Sequence, residues 1–262
     1  PTPVKSCAAA HGIPVYQPTK LRDGTALAQL RELAPELVVV AAYGRILPDD
    51  ILALPPMGCI NVHSSLLPKY RGAAPINWAV IRGEKETGVT IMYMAGELDA
   101  GDIIAQETTH IDPEETVENV HDRLADLGGR LLVQTVAELA AGTARRIPQD
   151  HSQATLAPML SRELSPIDWS RSGWDIHNQI RGLVPWPATS TDIFSAEPVK
   201  VFKSTLLDQG TDKQPGTVVA AGKEGIDVAC GDGRLLRILE LQAPGGKRMS
   251  AASYLAGHPI HL

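Results

Sequence analysis

The chain has 262 residues, 44% hydrophobic and 21% charged, a composition that excludes a disordered or fibrous chain and leaves room for one or two domains. Its only cysteines, Cys7, Cys59 and Cys230, lie far apart, so a disulfide framework and a thiolate zinc site are excluded and a reducing, cytoplasmic setting is expected. Aromatic residues make up just 4%, too few for stacking single-stranded nucleic acid, and no apolar stretch nears the ~18–20 residues of a membrane span. The first residues do not read as a basic-then-apolar secretory signal. The net charge of −6 divides unevenly: residues 1–144 carry 11 Lys and Arg against 18 Asp and Glu, and residues 145–262 carry 13 against 12. A basic footprint over the whole protein is absent, although the second half suits an acidic partner locally as well as it suits a mixed solvated surface.

In chain order, an amphipathic stretch with Leu27, Leu30 and Leu33 leads into the apolar run Leu37–Ala42. Such a run, without polar alternation, predicts a strand buried on both faces of a parallel sheet. A second strand reads Cys59–His63, followed by a turn-rich segment and a helix through Ile76, Trp78, Ala79 and Ile81. Strands are then expected at Val89–Met94 and Asp102–Thr108, and a long helix over Thr116–Ala140. The run Asp112-Pro113-Glu114-Glu115 supplies a cap candidate, a proline and acidic residues at that helix's start. The alternation indicates an α/β, Rossmann-like open sheet.

Residues 142–161 are polar and irregular, with Pro148 and Pro158, and read as a linker. Beyond it, a helix near Trp174–Arg181 precedes short runs at Ala188–Phe194, Val199–Leu207, Gly216–Ala221, Ile226–Cys230 and Leu235–Leu241, with glycine turns between them. Short strands at this spacing predict a small antiparallel, OB-like barrel. The expected division is a catalytic unit over 1–141, a linker over 142–161 and a barrel over 162–262. A doubly wound sheet is usually entered by a strand and a Gly-rich turn. The chain opens instead on a loop-like Pro-Thr-Pro, so about one strand–helix–strand unit is expected before Pro1.

The densest polar cluster is Asn61-Val62-His63-Ser64-Ser65. Alternation puts Asn61 and His63 on one side of a strand, at the end where α/β sheets bind ligands. An amide donor beside an imidazole suits a carbonyl that becomes a tetrahedral oxyanion; it suits hydrogen bonds to loop backbone equally well. Asp99, between Gly96 and Gly101, is placed to tune His63, yet taken alone it reads better as an Asx turn. His11, His110, His121, His151, His177, His258 and His261 have no partner pattern and read as surface or capping residues. No metal-ligand spacing, serine elbow, P-loop or GxGxxG fingerprint occurs.

The stretch Asn61-Val62-His63-Ser64-Ser65-Leu66-Leu67-Pro68-Lys69-Tyr70-Arg71-Gly72-Ala73-Ala74-Pro75-Ile76 resembles the signature of formyltransferases that use 10-formyltetrahydrofolate. Leu98-Asp99-Ala100-Gly101-Asp102 resembles the second signature of that family, at the right separation. Leu160–Glu163 with Ile167–Trp169, Pro185–Pro187 with Pro198–Val201, and Gly246–Ala251 are similar to the branch that acts on methionylated initiator tRNA. The last of these stretches sets the chain apart from the branch acting on amino-sugar nucleotides. The resemblance covers nearly the whole chain.

It implies Asn61, His63 and Asp99 as the catalytic trio, with no metal. It implies a folate site formed by Ser65, Leu66, Leu67 and Pro68 with the loop holding Arg45, Ile46 and Leu47. For Leu66, Leu67, Ile46 and Leu47, core packing weighs about equally. Lys200, Lys203, Lys247 and Arg248 are candidates for tRNA phosphate contacts, although for any one of them a solvated surface is the commoner role. A monomer is expected. The family's first strand, helix, second strand and a basic loop would precede Pro1, and a few residues would follow Leu262. An amino-sugar nucleotide as acceptor, and a non-catalytic remnant binding folate or tRNA, are the competing readings.

Overall fold

In a computed structural model, which describes residues 1–260, the first unit holds a four-stranded sheet in the order β1-β2-β3-β4. These strands are β1 (Val38–Ala41), β2 (Cys59–His63), β3 (Glu86–Tyr93) and β4 (Ile103–His110). The helices of this unit are α1 (Pro3–Ala10), α2 (Thr25–Leu33), α3 (Asp49–Leu52), α4 (Pro75–Ile81) and α5 (Val117–Ala140). β1 and β2 run parallel, Val38 opposite Cys59 and Ala41 opposite Val62, whereas β3 and β4 are antiparallel to their neighbours. The sheet is therefore mixed. The unbroken burial of β3 from Thr87 to Met92 gives it the look of a parallel strand. Cover on both faces produces that pattern here: α5 packs Val120, Leu124 and Leu127 with Val89 and Ile91 in one cluster, while Leu67, Met92 and Ile103 form another. The short connection from β3 to β4 suits a hairpin, since a parallel crossover needs a dozen or more residues.

Three local expectations change. β1 is open on one face rather than buried on both, with Val39 and Ala41 exposed. The opening Pro-Thr-Pro leads into a helix, α1, whose first turn is capped by Thr2 and which buries none of its residues. The cap of α5 is Thr116, whose backbone N–H and hydroxyl both donate to Asn119 Oδ1; Asp112 lies a turn upstream. Gly128 brings α5 onto the sheet, where a Cβ would stand 3.2 Å from Val62.

The second unit contains α6 (Gly173–Gly182), β5 (Thr189–Thr191), β6 (Val199–Gly210), β7 (Val218–Gly222), β8 (Gly225–Ala229), β9 (Arg234–Gln242), β10 (Met249–Ser250) and α7 (Ala251–Gly257). The strands form one six-stranded antiparallel sheet ordered β5-β6-β9-β8-β7, with β10 also on β9. Register shifts along β6 bend it. Ile176, Ile180, Val201, Ile226, Leu236, Ile238 and Leu241 fill the core. Sequence reading missed β10 and α7, the first a two-residue strand and the second a single short helix started by a Ser250 cap.

The units meet where α4 crosses α6. Gly182 permits the approach, since a Cβ there would lie 2.5 Å from Ile81 Cγ1. Asn77 Nδ2 donates to Gly182 O (2.8 Å), Arg181 Nη1 donates to Glu115 O (2.9 Å), and His177 Nε2 lies 3.0 Å from Pro113 O. His177 is thus a buried interface residue rather than a surface one, and burial pushes its pKa below the ordinary value. His261 lies outside the described residues. Residues 142–161 join the units while bonding to the first: Ile147 pairs with Ile103, Leu156 bridges to Arg71, and Trp78 Nε1 donates to Pro158 O at 2.8 Å.

Candidate active site

β2 ends where its parallel neighbour β1 also ends, so the loop after Ala41 and the segment after His63 leave the sheet at the same edge. That is where open α/β sheets place ligands. Asn61 and His63 project from one face of β2. Asn61 is half-buried, and its side-chain amide has no hydrogen-bond partner among the described residues; His63 is 5% exposed.

The imidazole is fixed by backbone. Its Nε2 lies 2.9 Å from Tyr70 O, and a carbonyl only accepts, so Nε2 carries the hydrogen. That leaves Nδ1 for chemistry, and it faces Asp99 Oδ2 at 3.7 Å. Asp99 arrives from the loop between β3 and β4, far from His63 in sequence, with φ at 47°. Its carboxylate also accepts the Gly72 N–H at 2.8 Å. A proton reaching Nδ1 would sit between the ring and a carboxylate already oriented by the backbone.

The turn after His63 is built from buried polar groups. Ser65 Oγ donates to Lys69 O (2.7 Å), and Ser65 O accepts from Thr90 Oγ1 (2.6 Å). Leu67 N–H donates to Thr90 Oγ1 (3.1 Å), and Gln106 Nε2 donates to Leu67 O (2.8 Å). Thr90 and Gln106, from β3 and β4, thereby hold the turn; sequence reading passed over both because nothing marks a strand Thr or Gln as reaching across a sheet. Tyr70, φ 62°, donates to Glu84 Oε1 at 2.5 Å. Burial, followed by that carboxylate, pushes its phenol up to about 12, so it stays neutral.

The folate candidates divide by burial. Ser65, Leu67 and Leu47 have buried side chains, Leu67 packing with Met92 and Leu47 with Leu27 and Ile51. Their side chains belong to the core, which leaves only their backbone groups to meet a ligand. Leu66 and Pro68 are half-buried, while Arg45 is exposed and Ile46 is 76% exposed. A cleft of about 430 Å³ is lined by Arg45 and Ile46 with Thr19, Lys20, Leu21, Arg22 and Asp23, and Arg45 Nη1 donates to Thr19 O at 2.9 Å. A second cleft, about 290 Å³, runs over the apolar face of β1 beside Tyr16, Tyr43 and Leu47. The trio lines neither cleft. What marks this place as a candidate site is the convergence of polar groups from separate segments, not hollow volume.

On the second unit, Lys200 and Lys203 of β6 face Gln242 and Glu240 of β9, and Lys247 and Arg248 lead into β10. All four are exposed. Arg248 is already engaged: Nε and Nη2 each lie 2.7 Å from Glu240 Oε2, and its guanidinium covers Phe202 at 4.8 Å. Among the described residues, no group of three or more His, Cys, Asp and Glu is arranged to hold a metal, and no helix is long and apolar enough to cross a membrane.

The model of the formyl transferase family matches residues 1–136, and that of the formyl transferase C-terminal domain matches residues 159–259. The methionyl-tRNA formyltransferase of Trichlorobacter lovleyi is 50% identical over 262 residues, all of this chain and 82% of its own length. That of Moorella thermoacetica is 52% identical over 260 residues, 99% of this chain and 83% of its own. Among solved structures, HypX from Aquifex aeolicus in complex with tetrahydrofolic acid has a TM-score of 0.66 at 19% identity, covering 88% of this chain and 41% of that one. An N-formyltransferase from Helicobacter canadensis, in complex with folinic acid and dTDP-3-aminofucose, has a TM-score of 0.66 at 20% identity over 89% of this chain and 81% of that one. The two solved structures share the fold, and the match of both domain models together with relatives at half identity places this chain in the formyl transferase family.

Proposed function

We propose that this chain transfers the formyl group of 10-formyltetrahydrofolate to the α-amino group of methionine esterified to initiator tRNA. The approach of Asp99 to His63 Nδ1, beside the unpartnered Asn61 amide, carries the chemistry. The bacterial relatives named methionyl-tRNA formyltransferase support the acceptor. An α-amine has a reference pKa near ~7.7–8.0, so a useful neutral fraction exists without a strong base. Its nitrogen attacks the formyl carbon, the carbonyl oxygen becomes an oxyanion, and the bond to the folate nitrogen then breaks as that nitrogen takes a proton. Asn61 donates to the oxyanion. His63 donates from a protonated Nδ1, which Asp99 steadies, and Asp99 helps carry away the amine proton through water. Such donors lower the barrier because the charge they meet exists only in the transition state. Once protonated, the folate nitrogen leaves the tetrahedral intermediate as a neutral amine without a Lewis acid, so the reading calls on no metal.

The folate lies across the ends of β1 and β2, against Leu66, Pro68, Arg45 and Ile46, with backbone groups of Ser65, Leu67 and Leu47 at its edge. Flat heterocycles favour apolar walls with a few convergent polar groups. Lys200, Lys203, Lys247 and Arg248 meet tRNA phosphates on the second unit. The trio comes from one chain, and we take a single cytoplasmic chain as the acting unit. The unit boundaries we adopt are 1–141, 142–161 and 162–262. The test supplies labelled 10-formyltetrahydrofolate with methionylated initiator tRNA or with an amino-sugar nucleotide. Label should pass to the methionyl-tRNA alone. Transfer to the sugar nucleotide at an equal rate would overturn the acceptor, and binding of folate and tRNA with no transfer to either would overturn the enzyme.

A further inference from the structure

Asp99 stands in the left-handed region of backbone space, which a residue with a Cβ occupies only where its surroundings hold it. Its side chain has one anchor, the Gly72 N–H. The backbone on both sides of Ala100 has another. Gln149 Nε2 donates to Asp99 O at 2.9 Å and to Gly101 O at 2.7 Å, while Gln149 Oε1 accepts from Arg71 Nε at 3.2 Å and Nη2 at 2.6 Å. Gln149 is 6% exposed and Arg71 8%. Two carbonyls on one side of the amide and a guanidinium on the other fix which end is nitrogen, and both ends are used.

Arg71 belongs to the same frame through its backbone. It lies between Tyr70, whose carbonyl accepts from His63 Nε2, and Gly72, whose N–H donates to Asp99 Oδ2. Its own N–H donates to Thr155 O at 2.8 Å, and its carbonyl accepts the Ala157 N–H at 2.7 Å. The guanidinium also meets His151 Nδ1 at 3.2 Å. Among the described residues it forms no ion pair, unlike Arg123, Arg146, Arg237 and Arg248. A buried cation facing only neutral groups is costly, so ion pairing does not account for its place. The contacts close a ring from His63 through Tyr70, Arg71, Gln149 and Asp99 back to His63.

Resting on the formyl-transfer reading above, we propose that Gln149, braced by Arg71, is a positioning residue that holds Asp99 in register with His63. It touches no reacting atom. Its effect comes through alignment, where a displacement of about 1 Å costs about 10²-fold in rate.

The test uses Gln149→Glu and Gln149→Met in the full chain. Glutamate keeps an acceptor for Arg71, which preserves folding, but faces two carbonyls without the amide donors. In both variants kcat should fall ~10–100-fold while KM for folate and for methionyl-tRNA stays within about threefold. Amide hydrogen exchange over residues 96–102 should quicken about tenfold with the remaining sheet unchanged. Arg71→Lys, which keeps the charge and loses the fork, should give an intermediate kcat. If the parent chain transfers formyl and Gln149→Glu retains its kcat, the proposal is overturned. Unchanged exchange over 96–102 overturns it whatever the activity. If the parent transfers nothing, the functional reading fails, and the exchange measurement alone decides whether Gln149 holds the loop.

Discussion

The first forty-eight residues and the segments carrying the trio are built in opposite ways. Around His63 and Asp99, buried polar groups close on one another: Thr90 and Gln106 hold the turn after β2, and Gly72 and Gln149 hold the Asp99 loop. Around β1 the contacts are sparse. Val39 is 41% exposed in the middle of a strand, Tyr43 and Ile46 face solvent, and Leu27, Leu47 and Ile51 form a small cluster with Leu21, Leu30 and Val40 packed against it. The contrast teaches that the candidate reacting groups are held by a hydrogen-bonded frame, while β1 and the loop after it present an open, largely apolar surface.

The largest effect should come from the frame's chemical centre. Asn61→Ala and His63→Ala should each lower kcat by at least ~10²–10³, with folate affinity by direct titration nearly unchanged. Near-normal kcat for either would remove that residue from the trio.

The next comparison is steric and sets one glycine from each region against the other. At Gly101 a Cβ would stand 1.8 Å from Tyr93 O, a backbone atom with little room to yield. Gly101→Ala should therefore cost about 3 kcal/mol, or ~6–12 °C in melting temperature. Gly44, φ 67°, has nothing within 4 Å of its missing Cβ. There Gly44→Ala should cost about 1 kcal/mol from backbone strain alone. Equal losses at the two positions would show that the regions are equally tight.

These regions were unequally legible in the sequence. The strand Cys59–His63 is predicted to the residue because an apolar start ending in Asn-x-His can be read from alternation. Asp99 was legible only through the family signature, since its own neighbourhood suggests a turn, and a turn is also what it forms. Strand direction was not legible: β3 is apolar on both faces, and that pattern says cover, not orientation. The roles of Gln149 and Arg71 depend on bonds between residues 78 apart in the chain, with no local mark. The helix α1 was not legible behind the loop-like Pro-Thr-Pro, since it buries nothing and has no apolar stripe to mark it.

A smaller effect concerns the joint between units. Burial holds His177 below its ordinary value of 6.5, so the unfolded chain binds its proton first as pH falls. This residue's contribution to stability is flat above pH ~6.5 and declines below it, down to the folded-state value. Thermal melting across pH 5–8 should show His177→Gln with a shallower acid decline than the parent. Parallel curves would mean that His177 protonates without disturbing the joint.

The smallest effect lies on the surface of the second unit. Replacing Lys200, Lys203 or Lys247 by Ala should each reduce the slope of log Kd for tRNA against log salt by about one. Arg248→Ala should change it less, because Glu240 already neutralises that guanidinium. Equal slopes for all four variants would mean that the Glu240 pair opens when tRNA binds.

The most direct test of the account is single-turnover formyl transfer by Asp99→Asn at saturating 10-formyltetrahydrofolate and methionyl-tRNA. Asparagine keeps an oxygen for the Gly72 N–H and tolerates the left-handed backbone, so the loop should stay in place. Only the negative charge facing His63 Nδ1 is lost. The account predicts unchanged melting and a transfer rate lower by ~10²–10⁴. A rate within about threefold of the parent would contradict it, showing that the His63–Asp99 pair is structural and that the proton leaves by another route.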